Sequence, residues 1–186
     1  MTVSSRLLQV FILAGLIPAF CFLFSDGAAA QSPFPKQIIV TQRNPDLRSL
    51  IKTSDLIVYA RLNAGINKWE TGRTAAPGRK LVNSRQILHI RDAYKGTASS
   101  PAYLLSTGVE PLPRPEDPLN AVYPGPLADG DYVLFLKQYS DRYYYILNGG
   151  FSAVYPVYGG EIIALYEGFK ELNGKSPAEL KNIAGR

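Results

Sequence analysis

Residues 129–150 read DGDYVLFLKQYSDRYYYILNGG, and this stretch decides the architecture. Asp129-Gly130-Asp131 reads as a turn, Tyr132 to Lys137 as the strongest strand in the chain, and Ser140-Asp141 as a tight connection. Arg142 to Leu147 then supplies a second aromatic-rich run, closed by Gly149-Gly150. Aromatic and branched side chains fit a pleated surface, so two such runs joined by a short polar link predict a β-hairpin. Tyr132 to Leu136 is apolar at every position, which predicts burial on both faces of that strand.

Working outward, Asp55 to Leu62 repeats the signature of a strand buried on both sides. Residues 63–80 read as a polar loop punctuated by Gly65, Gly72, Pro77 and Gly78. Val82 to Tyr94 reads as a strand that alternates in its latter half, with Leu88 and Ile90 on one face and His89 and Arg91 on the other. Lys95-Gly96 ends it, and Ala102 to Thr107 makes a short third strand. The six prolines between Pro111 and Pro126 exclude regular structure, because each removes a backbone donor. Beyond the hairpin lie a run at Phe151 to Val157, a Gly159-Gly160 turn and a last strand at Glu161 to Tyr166. Two short helices frame the strands. Asn44, Pro45 and Asp46 mark the start of one, and Ser176-Pro177 with Glu179 makes a capping box for the other.

The order of these pieces resembles exported β-barrel domains related to the netrin module and to tissue inhibitors of metalloproteinases, and bacterial secreted proteins of the same strand pattern. The residues that carry the likeness are Ser54 to Tyr59, Ile87 to Gly96, Asp129 to Leu136 and the tyrosine-rich strand running into Gly149-Gly150. It covers about residues 44–166 and implies a mostly β fold, a small five- to six-stranded OB-like barrel with a short N-terminal and a short C-terminal helix. The inhibitors resemble one another in using an N-terminal cysteine. The only cysteine here is Cys21, so the likeness supports a barrel and not that route of inhibition.

Cys21 belongs to a segment with the form of an export signal. Arg6 is a short positive region, Leu7 to Phe24 an apolar run, and Ala28-Ala29-Ala30 a small-residue cleavage site. The expected division is a signal peptide over 1–30, a polar lead-in over 31–43 and a single domain over 44–186. A retained anchor is the alternative, since the apolar run approaches the length that spans a bilayer. Phe20 before Cys21 argues against lipid attachment there. After cleavage the domain holds no thiol and must rely on its core. Removing Arg6 and Asp26 together leaves the formal charge of +5 unchanged. Such a balance suits anionic envelope polymers or head groups and is too small to imply nucleic acid.

No catalytic set emerges. His89 is the only histidine, and neither a G-x-S-x-G elbow nor an S-x-x-K accompanies it. It reads as a surface histidine. Glu110, Glu116, Asp117, Asp129 and Asp131 do not match a calcium loop. A glycosidase-like pair drawn from Asp129 and Asp131 with Glu110 or Glu116 is the enzymatic alternative, and a structural part of an envelope assembly is a third reading.

Two candidate contact surfaces remain. Trp69 lies among Lys68, Arg73, Arg79 and Lys80. An indole among cations is a common contact surface; the competing account folds Trp69 back over the barrel end. On the tyrosine strand, Tyr143 and Tyr145 share one face, Arg142 and Tyr144 the other, and rings on such faces stack on bases or sugars. The expected function is therefore a non-enzymatic, periplasmic or extracellular binding domain without a cofactor. Its candidate contact residues are Trp69, Lys68, Arg73, Tyr143 and Tyr145. The expected partner is a protein or a glycan outside the cytoplasm, not nucleic acid, with a membrane involved only if the signal is uncleaved.

Overall fold

Apolar strands separated by glycine turns bury most economically by pairing with one another, and the chain does so. The computed structural model describes Ile38 and residues 43–63, 65–165 and 167–184. The signal segment over 1–30 lies outside the described residues, as does all of the lead-in except Ile38 and Arg43.

In chain order the elements are α1 (Leu47–Thr53), β1 (Leu56–Leu62), β2 (Asn67–Ala76), β3 (Arg79–Lys95), β4 (Tyr103–Glu110), α2 (Leu119–Val122), β5 (Gly130–Tyr139), β6 (Asp141–Leu147), β7 (Val154–Tyr158), β8 (Glu161–Ile162) and α3 (Pro177–Ala184). The fold is mostly β. Single 3₁₀ turns occupy Gly150–Ala153 and Lys170–Leu172. Among the described residues no helix is long and apolar enough to cross a membrane.

The strands form one sheet in the order β1-β3-β4-β6-β5-β7-β8, with β2 attached to β3. All the pairings are antiparallel except β4 with β6, which runs parallel. β1 also pairs with β5 from Leu56↔Leu136 to Leu62↔Gly130. The ladders β1-β3-β4-β6-β5 therefore return to β1 and form a cycle.

Register decides the core. Leu56, Val58, Ala60 and Leu62 alternate along β1 and face Leu136, Leu134 and Tyr132 of β5; with Leu88, Leu104, Tyr145 and Leu147 they belong to one buried cluster. The opposite faces of β1 and β5 are buried as well: Ile57, Val133 and Phe135 are completely covered. The Phe135 ring meets Tyr155 of β7 edge-on at 5.6 Å. The Tyr155 hydroxyl accepts from the Phe169 N–H at 2.8 Å, which draws the segment leading to Leu172 over this second layer. Covering both sides satisfies the continuous hydrophobicity of these strands.

Five expectations change. The predicted polar loop over 63–80 contains β2, a strand paired with β3 from Asn67↔Arg85 to Ala76↔Arg79 and turned at Gly78 with φ +70°. Pairing rather than burial makes it a strand. Asn44 is not the cap of α1. Asp46 is, accepting from the Ser49 N–H at 2.6 Å, while Asn44 is buried and donates to Asn148 O at 3.0 Å. The run at 151–157 begins as a 3₁₀ turn. The predicted strand over 161–166 stops after Ile162, because Ile162 N–H donates to Lys175 O and Ala164 N–H to the Asn173 side chain; Tyr166 is outside the described residues. The capping box of α3 forms as expected, with Ser176 N–H donating to Glu179 Oε2 at 2.8 Å and Glu179 N–H to Ser176 Oγ at 3.4 Å.

The proline-rich segment, expected to hold no regular structure, carries the single helical turn α2 where residues 119–122 are free of proline, and it is pinned rather than loose. The Gln86 amide donates to Leu127 O at 2.8 Å and accepts from Leu127 N–H at 2.9 Å. Gly125 N–H donates to Thr107 O at 3.0 Å. A Cβ on Gly108 would stand 2.9 Å from the Gly125 backbone, so the absence of a side chain there allows the approach.

Candidate functional site

β3 is the longest strand, at 17 residues, and its two faces differ. Val82, Ser84, Gln86 and Leu88 are buried, whereas Arg85, Ile87, His89 and Arg91 are half-buried or exposed. Ile87 keeps 46% of its surface in water, high for so apolar a side chain. Alternation along the strand puts Arg85, Ile87 and His89 in one outward row, and Arg91, at a bulge opposite Tyr59 and Ala60, joins it by meeting Asp131 and the Tyr59 hydroxyl.

An aromatic platform borders the row on one side. Tyr103 of β4 is in register with Ile87, and Tyr144 of β6 is in register with Tyr103. Their ring centroids lie 5.5 Å apart with planes tilted by 30°. The Arg85 guanidinium sits 5.0 Å from the Tyr103 centroid, within range for cation–π attraction.

A charged cluster borders the other side. Arg61 of β1 is in register with both His89 and Asp131. The Asp131 carboxylate receives Arg61 Nη1 at 3.2 Å and Arg91 Nη2 at 3.0 Å. Arg91 also donates to the Tyr59 hydroxyl at 3.1 Å and covers the Tyr59 ring at 5.3 Å. Asn63 Nδ2 lies 3.0 Å from His89 Nε2. Nearby, burial first, then Asp92 and Tyr59, push the Tyr94 phenol up to about 12. Tyr94 stays protonated near neutrality.

The residues singled out from sequence fall elsewhere. Tyr145 is corrected: it is only 3% exposed and belongs to the core, because its register with Leu104 turns it inward. The outward tyrosine of β6 is Tyr144. Tyr143 is half-buried at the start of the strand, with Arg142 donating to its hydroxyl at 2.6 Å. Trp69 and Lys68 point to opposite faces of β2. Trp69 is half-buried, in register with Asn83; Lys68 pairs with Glu110 at 2.7 Å. Arg73 is exposed on the same hairpin. These five do not converge on one surface. Arg85 and Tyr103 are not among the sequence candidates: the alternation Arg85-Ile87-His89 is legible in the sequence, but the cross-strand neighbours are set only by register.

Three of the five candidate carboxylates are paired with cations. Asp131 has two arginines, Glu110 has Lys68, and Asp117 has Arg79 at 3.9 Å. Glu116 and Asp129 are exposed. Among the described residues no three His, Cys, Asp or Glu side chains gather to hold a metal ion. A groove of about 440 Å³ runs under the proline-rich segment, lined in part by Lys68, Ser84, Gly108, Glu110 and Tyr123.

No protein-family model, curated protein or solved structure matches the chain.

Proposed function

We propose that the chain is an exported, non-enzymatic binding module: an OB-like barrel that holds a glycan or protein partner on the outward face of β3, β4 and β6. The cycle β1-β3-β4-β6-β5, its single parallel ladder and the short α2 between β4 and β5 support the barrel. They also keep the likeness to the netrin module as a reading of architecture alone. The apolar run over 7–24 and Ala28-Ala29-Ala30 support export.

The observation that carries the function is the Arg85–Tyr103–Tyr144 arrangement. OB-like barrels bind oligomers across their second and third strands, and β3 and β4 are second and third in the cycle. Two neighbouring rings with a cation over one of them form a stacking platform at low entropic cost.

The test is a double variant, Tyr103→Ala with Tyr144→Ala, compared with the parent in a screen against arrayed glycans and envelope fractions. Loss of about tenfold or more in affinity, with a retained cooperative melt, is the expected result. Unchanged binding in a folded variant overturns the reading.

A further inference from the structure

The outward row of β3 points to a more specific ligand. Resting on the binding reading above, we propose that Arg85, Ile87, His89 and Arg91, flanked by Tyr103–Tyr144 and by Tyr59–Arg61, form a track for an acidic polysaccharide whose charges are carboxylates, a uronic-acid polymer.

Asp131 shows what the arginines are arranged to hold. Its carboxylate is received by guanidinium groups from two different strands. A guanidinium is a planar fork with five donors, suited to carboxylate. Arg61 uses one of them in a hydrogen bond to Asp131, and Arg91 uses one in a hydrogen bond to Tyr59 while meeting Asp131 as an ion pair. The Arg61 and Arg91 side chains are 49% and 46% exposed, whereas Asp131 is 21% exposed. The internal acid therefore sits below the cations, which keep further donors on the solvent side.

Geometry extends the site into a track. Outward residues on a strand repeat every ~6.7 Å, so Arg85 to Arg91 spans about 20 Å, the length of several sugar rings. Guanidiniums stand at both ends, Ile87 gives apolar contact between them, and the Tyr103–Tyr144 platform offers ring faces for the C–H surfaces of pyranoses. Asp92, in register with Tyr59, marks the acidic limit of the row beyond Arg91.

The test titrates purified protein with polygalacturonate by calorimetry, using dextran and polyphosphate as the neutral and the phosphate-bearing comparisons. Saturable polygalacturonate binding is expected, weakening about tenfold or more in Arg61→Ala with Arg91→Ala. Asp131→Asn should bind more tightly, since it removes the internal competitor without removing a donor. Absence of binding, an undiminished affinity in the folded double-arginine variant, or equal affinity for polyphosphate overturns the assignment. Tyr103- and Tyr144-dependent binding of a neutral glycan or a protein, without polygalacturonate binding, sinks the acidic-glycan assignment and leaves the binding module standing.

Discussion

Tyr155 shows how much one side chain can hold. Its ring is completely buried against Phe135, and its hydroxyl accepts the Phe169 N–H, so it joins the core to the segment beyond β8. Burial pushes its phenol from 10.0 up to about 12, and burial does the same for Tyr94. Between those values the unfolded chain has lost a proton that the folded chain keeps, so unfolding gains from rising pH. The stability that depends on the neutral phenols is complete below pH 10 and drains away toward pH 12. Melting followed from neutral to strongly alkaline pH should show this decline. In Tyr155→Phe the alkaline decline should be shallower, while stability near neutrality falls by roughly 1–3 kcal/mol because the Phe169 N–H loses its acceptor. An alkaline slope identical to the parent's would show that Tyr155 does not carry the effect.

At the level of elements, Gln86 is the clasp of the proline-rich segment. A buried carboxamide that donates to Leu127 O and accepts from Leu127 N–H replaces two backbone bonds that so many prolines prevent the segment from making for itself. Gln86→Leu keeps the volume and removes both bonds. Each buried group left without a partner costs roughly 1–3 kcal/mol, so denaturant unfolding should show a loss in that range or above it. Amide exchange at Leu127 should accelerate more than at Val133; equal acceleration at both sites would mean that Gln86 supports the whole sheet and not the segment. This clasp was invisible in the sequence, where Gln86 looked like one polar residue in an alternating strand. The elements that were legible carry local chemistry: the Ser176–Glu179 box, the Ser140-Asp141 link and the apolar runs of β1 and β5. β2 was missed because its faces are polar and its partner lies across a turn, so nothing in its own composition set it apart from a loop. The same limit governs the tyrosine strand. Alternation shows which residues share a face, but only register with Leu104 selects Tyr145 for the interior and Tyr144 for the surface.

At the scale of the molecule, the β1–β5 ladder joins the first strand of the cycle to one laid down some seventy residues later, as in Tyr59↔Val133. A cycle of ladders around one shared hydrophobic cluster leaves no strand that can part from its neighbours without exposing the rest. Unfolding by urea should therefore be a single transition, coincident by far-ultraviolet circular dichroism and tyrosine emission. Two separated transitions would show that the layer beneath Tyr155 melts independently of the cycle. Refolding should fall in the slow range of non-local β topologies, milliseconds to seconds. β2 stands outside this shared fate: it hangs from β3 alone, gives no residue to the buried cluster, and carries the chain's single tryptophan. Indole emission is therefore an optical gauge native to that arm. Departures of its denaturation curve from the tyrosine signal would record fraying of the hairpin while the rest of the molecule stands.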